Sequence, residues 1–230
     1  MVMGTVKNLT FILNLKGILM YNFNIKYNKT LHLKTGEFNM VNAIKDMKKV
    51  KALLMYLKGS SDRDYLLCKF QLNTGLRISD VVPIKVHDLM SSKRRFKEHL
   101  AINEVKTGKF KLIKLNDELK DTLKEYIVKY DLKDDDFLFK SKKFDTNGRQ
   151  RHITVTQAYR VLKEAAVAVG IDDFGTHSLR KTWGYFSYKA SKHNIGLLMD
   201  MFNHSAPSIT LKYIGIDQDA RDEMYSYVQF

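Results

Sequence analysis

The chain has 230 residues, a length that suits one domain or two with a sizeable core, and 44% of them are hydrophobic, as in an ordinary globular protein. Lys and Arg number 39 against 25 Asp and Glu, a net charge of +14. That excess favours a polyanionic partner, because basic groups displace the counterions condensed on a phosphate backbone, although ribosomal, heparin-binding and membrane-surface proteins carry it too. The single cysteine, Cys68, excludes an intramolecular disulfide and, in its apolar run, reads as a buried inert thiol; no CxxC or HxxxH pair marks a metal site. The most apolar stretch, residues 9–23, is interrupted by Asn14, Lys16 and Asn22, too short and too broken for a membrane span and without the small-residue cleavage site of a signal peptide. A cytoplasmic protein is the resulting expectation.

Residues 1–39 are rich in Asn and Lys, with no helical period, and are expected to form an N-terminal extension of uncertain structure. From Met40 the pattern turns helical: Ala43, Ile44, Met47, Val50, Leu54 and Leu57 fall on one face. Residues 59–62 break that helix and offer Asp62 as the next cap. A second helix runs through Leu66, Leu67 and Phe70 to Gly75, and a short third starts at Ser79 and ends near Pro83. Residues 99–106 and 110–115 read as two strands around the tight turn Thr107-Gly108-Lys109. Asn116 caps a helix carrying Leu119, Leu123, Tyr126 and Ile127; residues 131–151 read as a charged loop around Phe137-Leu138-Phe139. A helix over 156–169 closes at Gly170, and residues 176–228 look helical with short breaks. The expected class is α+β, mainly α, with a small antiparallel β-sheet, in a domain spanning 40–230.

Five short stretches carry candidate chemistry. Arg77 follows a Gly-Leu turn in Thr74-Gly75-Leu76-Arg77-Ile78-Ser79-Asp80, a loop-to-helix corner. His177 and Arg180 stand three apart in His177-Ser178-Leu179-Arg180, on one helical face with Leu179 turned to the core. Lys106 sits at a hairpin tip, His204 in Asn203-His204-Ser205, and Tyr213 nine residues after His204. Taken singly, each has a bland reading: a surface arginine, a structural His–Arg pair, a solvated turn, one tyrosine of twelve. Taken in order, their types fit attack by a phenol on a phosphodiester.

This set resembles the phage-integrase or tyrosine-recombinase family, whose signature is an arginine in GLR-[IL]-S-[DE], a hairpin lysine, H-x-L-R, [GN]-H-S and a tyrosine nine residues on. The resemblance covers about residues 42–228 and implies the catalytic residues Arg77, Lys106, His177, Arg180, His204 and Tyr213. The family usually has Gly before the second histidine; Asn203 stands there, and Asn is the side chain that best tolerates positive φ. Lys109 is a second candidate for the hairpin role, Lys111 lies on the same hairpin, and Lys109 and Lys181 are expected DNA contacts. Tyr225 and Tyr227 do not stand at the required distance from a histidine.

The implied activity is site-specific DNA recombination or integration, as in mobile elements and phages, by an enzyme that forms a 3′-phosphotyrosine and frees a 5′ hydroxyl without metal or nucleotide cofactor. Arg77 and Arg180 would hold the phosphate oxygens, Lys106 would protonate the leaving oxygen, and His177 would act as base or orient the phosphate, with His204 adding a hydrogen bond. The partner would be double-stranded DNA in a bacterial or phage setting, with a monomer or weak oligomer when free and a tetramer on paired sites. A tail helix over 217–228 would dock either on its own domain or, as in the family, on a neighbouring protomer. Two other readings share the motifs: a type IB topoisomerase-like relaxing activity, and a DNA-binding accessory protein that regulates a full-length recombinase. Residues 1–39 are too few for the helical DNA-clamping domain that usually precedes this one, and Met40 is an alternative start.

Overall fold

The computed structural model describes residues 41–216, 222–223 and 225–228; the expected N-terminal extension lies outside the described residues, as does half of the expected tail helix. Helix α1 spans Met47–Ser60 and α2 spans Asp62–Thr74. The first turn begins at Met47 rather than Met40, because the Asp46 carboxylate accepts from the Lys48 N–H and closes the N-terminus there. Residues 41–46 are non-helical, with Ile44 buried and its N–H given to the Thr182 hydroxyl. The buried face of α1 is Val50, Leu53 and Leu57, so Leu53 takes the place expected for Leu54. Ser61, not Asp62, caps α2; such caps contribute about 1 kcal/mol each. Cys68 is fully buried, which pushes its thiol pKa up and keeps it inert.

Two short helices follow, α3 at Ile78–Val81 and α4 at Val86–Leu89, the latter unforeseen. Strands β1 (His99–Asn103) and β2 (Phe110–Lys114) pair antiparallel, with Ala101 opposite Leu112. Helix α5 (Asp117–Lys129) is capped by Asn116 as expected, and buries Leu119, Leu123 and Ile127. The segment expected as a loop holds a second antiparallel pair, β3 (Lys140–Phe144) with β4 (Gln150–His152). Its strands are charged and mostly outward-facing, so no apolar alternation marks them; the buried Leu138 and Phe139 anchor them from one side. Among the described residues the expected small sheet is therefore two separate two-stranded sheets.

Helix α6 (Val155–Ala168) is capped by Thr154, α7 runs Ser178–Ala190, α8 Ile195–Phe202 and α9 Pro207–Ile214. The main core joins α1, α2, α5 and α6 with the α3–α4 segment and the start of α7. A second, smaller cluster gathers Leu198, Phe202, Ile214 and Ile216, with Trp183 and Tyr213 against it. Two arms of the molecule meet where Gly75 ends α2: its φ of +65° is left-handed, and a Cβ there would stand 2.2 Å from the Trp183 ring of α7. Only glycine satisfies both demands. In the tail, Asp222, Glu223, Tyr225 and Ser226 are helical, and Tyr225, Tyr227 and Val228 are exposed.

Candidate active site

Tyr213 lies in the last turn of α9, its ring edge-on to Phe202 and to His204 with centroids 5.2 Å away in each case. Its hydroxyl stands 3.3 Å from Nδ1 of His177, the residue that begins α7. Arg180, one turn into the same helix, is 4% exposed; it donates to the Gly75 carbonyl and stacks on the Phe202 face at 4.6 Å, and its charge draws the Tyr213 phenol pKa down. The i, i+3 spacing of His177 and Arg180 thus brings both to bear on Tyr213, the first by contact and the second by its charge, while Leu179 turns into the core as expected.

The corner after α2 carries Arg77. Its Nη1 meets Glu104 Oε1 at 2.7 Å and lies 3.9 Å from Asp80 Oδ2. Asp80 is buried and ties the hairpin to this corner by accepting the Val105 N–H. Asn203 adopts φ +58°, ψ +45°, the left-handed conformation needed to end α8, so the asparagine fills the glycine position without distorting it. The turn it makes presents His204, whose Nδ1 pairs with the buried Thr210 hydroxyl at 2.9 Å.

The three hairpin lysines differ. Lys106 and Lys109 are exposed in the turn between β1 and β2. Lys111 is the one whose ammonium is folded inward, 3.2 Å from Glu104 Oε1 and donating to the Met201 carbonyl. Lys181 donates to the Val41 carbonyl and lies 5.0 Å from the centre of the Tyr213 ring. The sequence offers Lys111 only as another lysine of the hairpin, and it does not single out Glu104 or Asp80. The one local hint for Asp80 is its place at the end of the Arg77 motif.

Electrostatics set the protonation states. Burial raises the Tyr213 pKa above its usual value, against the pull of Arg180 and Arg77, so the phenol keeps its proton at neutral pH. His177 is pushed down, first by burial and then by Arg180, Arg77, Lys181 and Lys106, and so is neutral. A neutral imidazole with its proton on Nε2 can accept the phenol's proton at Nδ1. His204 is also lowered, by burial and by the cations of Arg180, Arg77 and Lys111. Among the described residues no three His, Cys, Asp or Glu side chains are grouped as a metal site would require, and no helix is long and apolar enough to cross a membrane.

Residues 45–219 match the family described as "Phage integrase family". The chain is 40% identical over 187 residues to the probable integrase/recombinase YoeC of Bacillus subtilis (strain 168), covering 81% of this chain and 96% of that protein. Among solved structures, XerA recombinase superposes with a TM-score of 0.60 at 17% identity, over 85% of this chain and 68% of that one. XerH site-specific recombinase, bound to its difH substrate in a pre-cleavage complex, gives 0.57 at 18%, over 81% of this chain and 54% of that one. At such identities these two likenesses speak for the fold.

Proposed function

The chain belongs to the phage integrase family and is a site-specific recombinase, and on that premise we propose that Tyr213 is the nucleophile with which it cuts and rejoins DNA. The observation that carries this reading is the approach of the Tyr213 hydroxyl to Nδ1 of His177 at 3.3 Å, with the charge of the buried Arg180 acting on the same phenol, from a helix 36 and 33 residues upstream. His177 takes the phenolic proton as the oxygen attacks the scissile phosphorus. Arg180 and Arg77 bind the non-bridging oxygens, and their planar forks stabilise the charge that builds on them. His204 adds a hydrogen bond. The 5′ oxygen leaves with a proton, and the 3′-phosphotyrosine conserves bond energy, so rejoining to a new strand needs no fuel. The substrate is double-stranded DNA, for which a net charge of +14 is suited, and the compartment is the bacterial cytoplasm that holds it.

Incubation with nicked duplexes, followed by denaturing electrophoresis and mass mapping of the adduct, tests the reading. The nucleotide should be found on the peptide containing Tyr213. An accessory protein without catalysis would yield no adduct.

Lys106 is the proposed general acid. It is exposed on the hairpin, yet its charge is already felt at His177. Lys106→Ala should lose cleavage on ordinary DNA and regain it on a substrate with sulfur at the 5′ leaving position, because a thiolate departs without an acid. Rescue of Lys109→Ala or Lys111→Ala in its place would move the role to that residue.

The working assembly is proposed to be a tetramer on paired sites, linked by the tail. Tyr225, Tyr227 and Val228 are 83, 71 and 60% exposed, apolar surface that gains from a docking partner. Removal of residues 217–230 should leave a folded protein that cleaves single sites but neither pairs them nor exchanges strands, as followed by light scattering of the DNA complex. A truncated protein that still recombines would refute the link, and one that fails to fold would mean the tail docks on its own domain.

A further inference from the structure

Among the described residues, Glu104 is the carboxylate that meets both Arg77 and Lys111, and its side chain is wholly buried. Oε1 accepts from Arg77 Nη1 at 2.7 Å and faces Lys111 Nζ at 3.2 Å. Oε2 accepts from the Thr107 hydroxyl at 2.6 Å and from Asn203 Nδ2 at 2.9 Å. Its backbone closes the hairpin, the N–H to the Lys109 carbonyl and the carbonyl to the Gly108 N–H. A single side chain therefore joins the Arg77 corner, the turn that bears Lys106 and the turn that presents His204.

We propose that Glu104 is a positioning residue for strand cleavage, the counter-charge that holds Arg77 and Lys111 at the phosphate-binding face and locks the lysine hairpin and the His204 turn in register with them. The inference rests on the reading of Tyr213, Arg77 and Arg180 given above.

The physical case has three parts. Arg77 and Arg180 are close enough to disfavour the charge of Lys111, whose pKa is lowered by burial and, against the pull of Glu104, by Arg180 and Arg77. Without an anion among them, the long side chains of Arg77 and Lys111 would turn out towards water, where repulsion is screened. Glu104 stays ionised to supply that anion: burial alone would raise its pKa, but the Thr107 hydroxyl and the charges of Lys111 and Arg77 outweigh it and bring it below the usual value. Finally, Glu104 engages the Nη1 end of Arg77, and a guanidinium has five N–H donors in a fixed fork, so an edge remains for phosphate oxygens. Asp80 cannot substitute, since its Oδ2 lies 3.9 Å from Arg77 Nη1 and its Oδ1 is committed to the Val105 N–H.

Glu104→Gln keeps the shape and removes the charge. At saturating nicked DNA its single-turnover cleavage should fall by about 10²-fold, the scale for disabling one charge-stabilising donor. Its affinity for DNA should be unchanged or higher, since the site has gained a net positive charge. A sulfur at the 5′ leaving position should restore the rate only in part, because the phosphate clamp is disabled together with the hairpin that bears Lys106. Cleavage within threefold of the parent, a loss wholly explained by weaker binding, or full rescue by sulfur would overturn the proposal. Should Glu104→Gln melt below the assay temperature, Glu104→Asp carries the test: it keeps the charge but shortens the reach, so slower cleavage with intact binding supports the role and unaltered cleavage refutes it. Tyr213→Phe run alongside separates the two levels. If Tyr213→Phe still forms an adduct, the reading of the site fails; if it is inert and Glu104→Gln cleaves normally, only this inference does.

Discussion

Tyr213→Phe is expected to abolish the covalent protein–DNA adduct while DNA affinity stays within about twofold, well under the tenfold that 1.4 kcal/mol would give. The change deletes one hydroxyl and keeps a ring that packs edge-on against Phe202 and His204, with Lys181 over its face. Denaturing electrophoresis on nicked duplexes reads the first quantity and filter binding the second. In the parent protein the adduct should form steadily around neutral pH and decline in acid. The sign follows from His177: its pKa lies below the usual imidazole value, so the proton-accepting form persists at neutral pH and is lost only as pH falls through that lowered value. An adduct that survives in the phenylalanine variant would assign the nucleophile elsewhere.

Arg180→Ala should lower single-turnover cleavage by at least about 10²-fold and also destabilise the protein. The guanidinium does two jobs. It donates to the Gly75 carbonyl, 105 residues away in sequence, and it covers the Phe202 face. Truncation leaves that carbonyl without its partner in a buried setting, a cost of about 1–3 kcal/mol. At about 2–4 °C per kcal/mol for a chain of this size, a thermal midpoint some degrees lower should accompany the loss. Arg180→Lys should recover part of the stability and little of the rate, because an ammonium has the charge without the fork. Cleavage by Arg180→Ala within tenfold of the parent at a temperature where both are folded would exclude the phosphate-clamp role.

The sequence alone reveals those site residues whose determining neighbours lie close along the chain. His177 and Arg180 are three apart at the start of α7, Arg77 follows its own turn, and Asn203 announces a left-handed helix end. Glu104 stays hidden in it and Lys111 is not told apart from the other hairpin lysines, because what brings them to the candidate site is made elsewhere. The hairpin register turns Lys111 inward and Lys109 outward, and the partners Asn203 and Met201 arrive from α8, 99 and 90 residues on. Lysines along a two-stranded ribbon look alike until the pairing decides which face is covered. The same limit hides β3 and β4: a strand of Lys, Ser and Phe held by ladder hydrogen bonds and by a flanking buried pair has no hydrophobic period to read. The delayed start of α1 has a local cause, the Asp46 cap, which apolar residues continuing upstream at helical spacing conceal.

The left-handed corner at Gly75 has a bearing on when the enzyme becomes dangerous. An unguarded nuclease would be a hazard to the genome that encodes it, and a partly folded chain with a working nucleophile would be one. Here the decisive contacts are long-range: Arg180 reaches Gly75 across 105 residues and Glu104 reaches Asn203 across 99. Contacts of that sequence separation slow folding, because the loop must close before the contact is gained. No fragment can assemble the clamp from its own sequence, and a side chain at the corner would keep α7 from seating, with the Trp183 ring in the way. On the proposed reading of the site, strand-breaking capacity would be tied to completion of the topology, and the chain would acquire its chemistry together with its native packing.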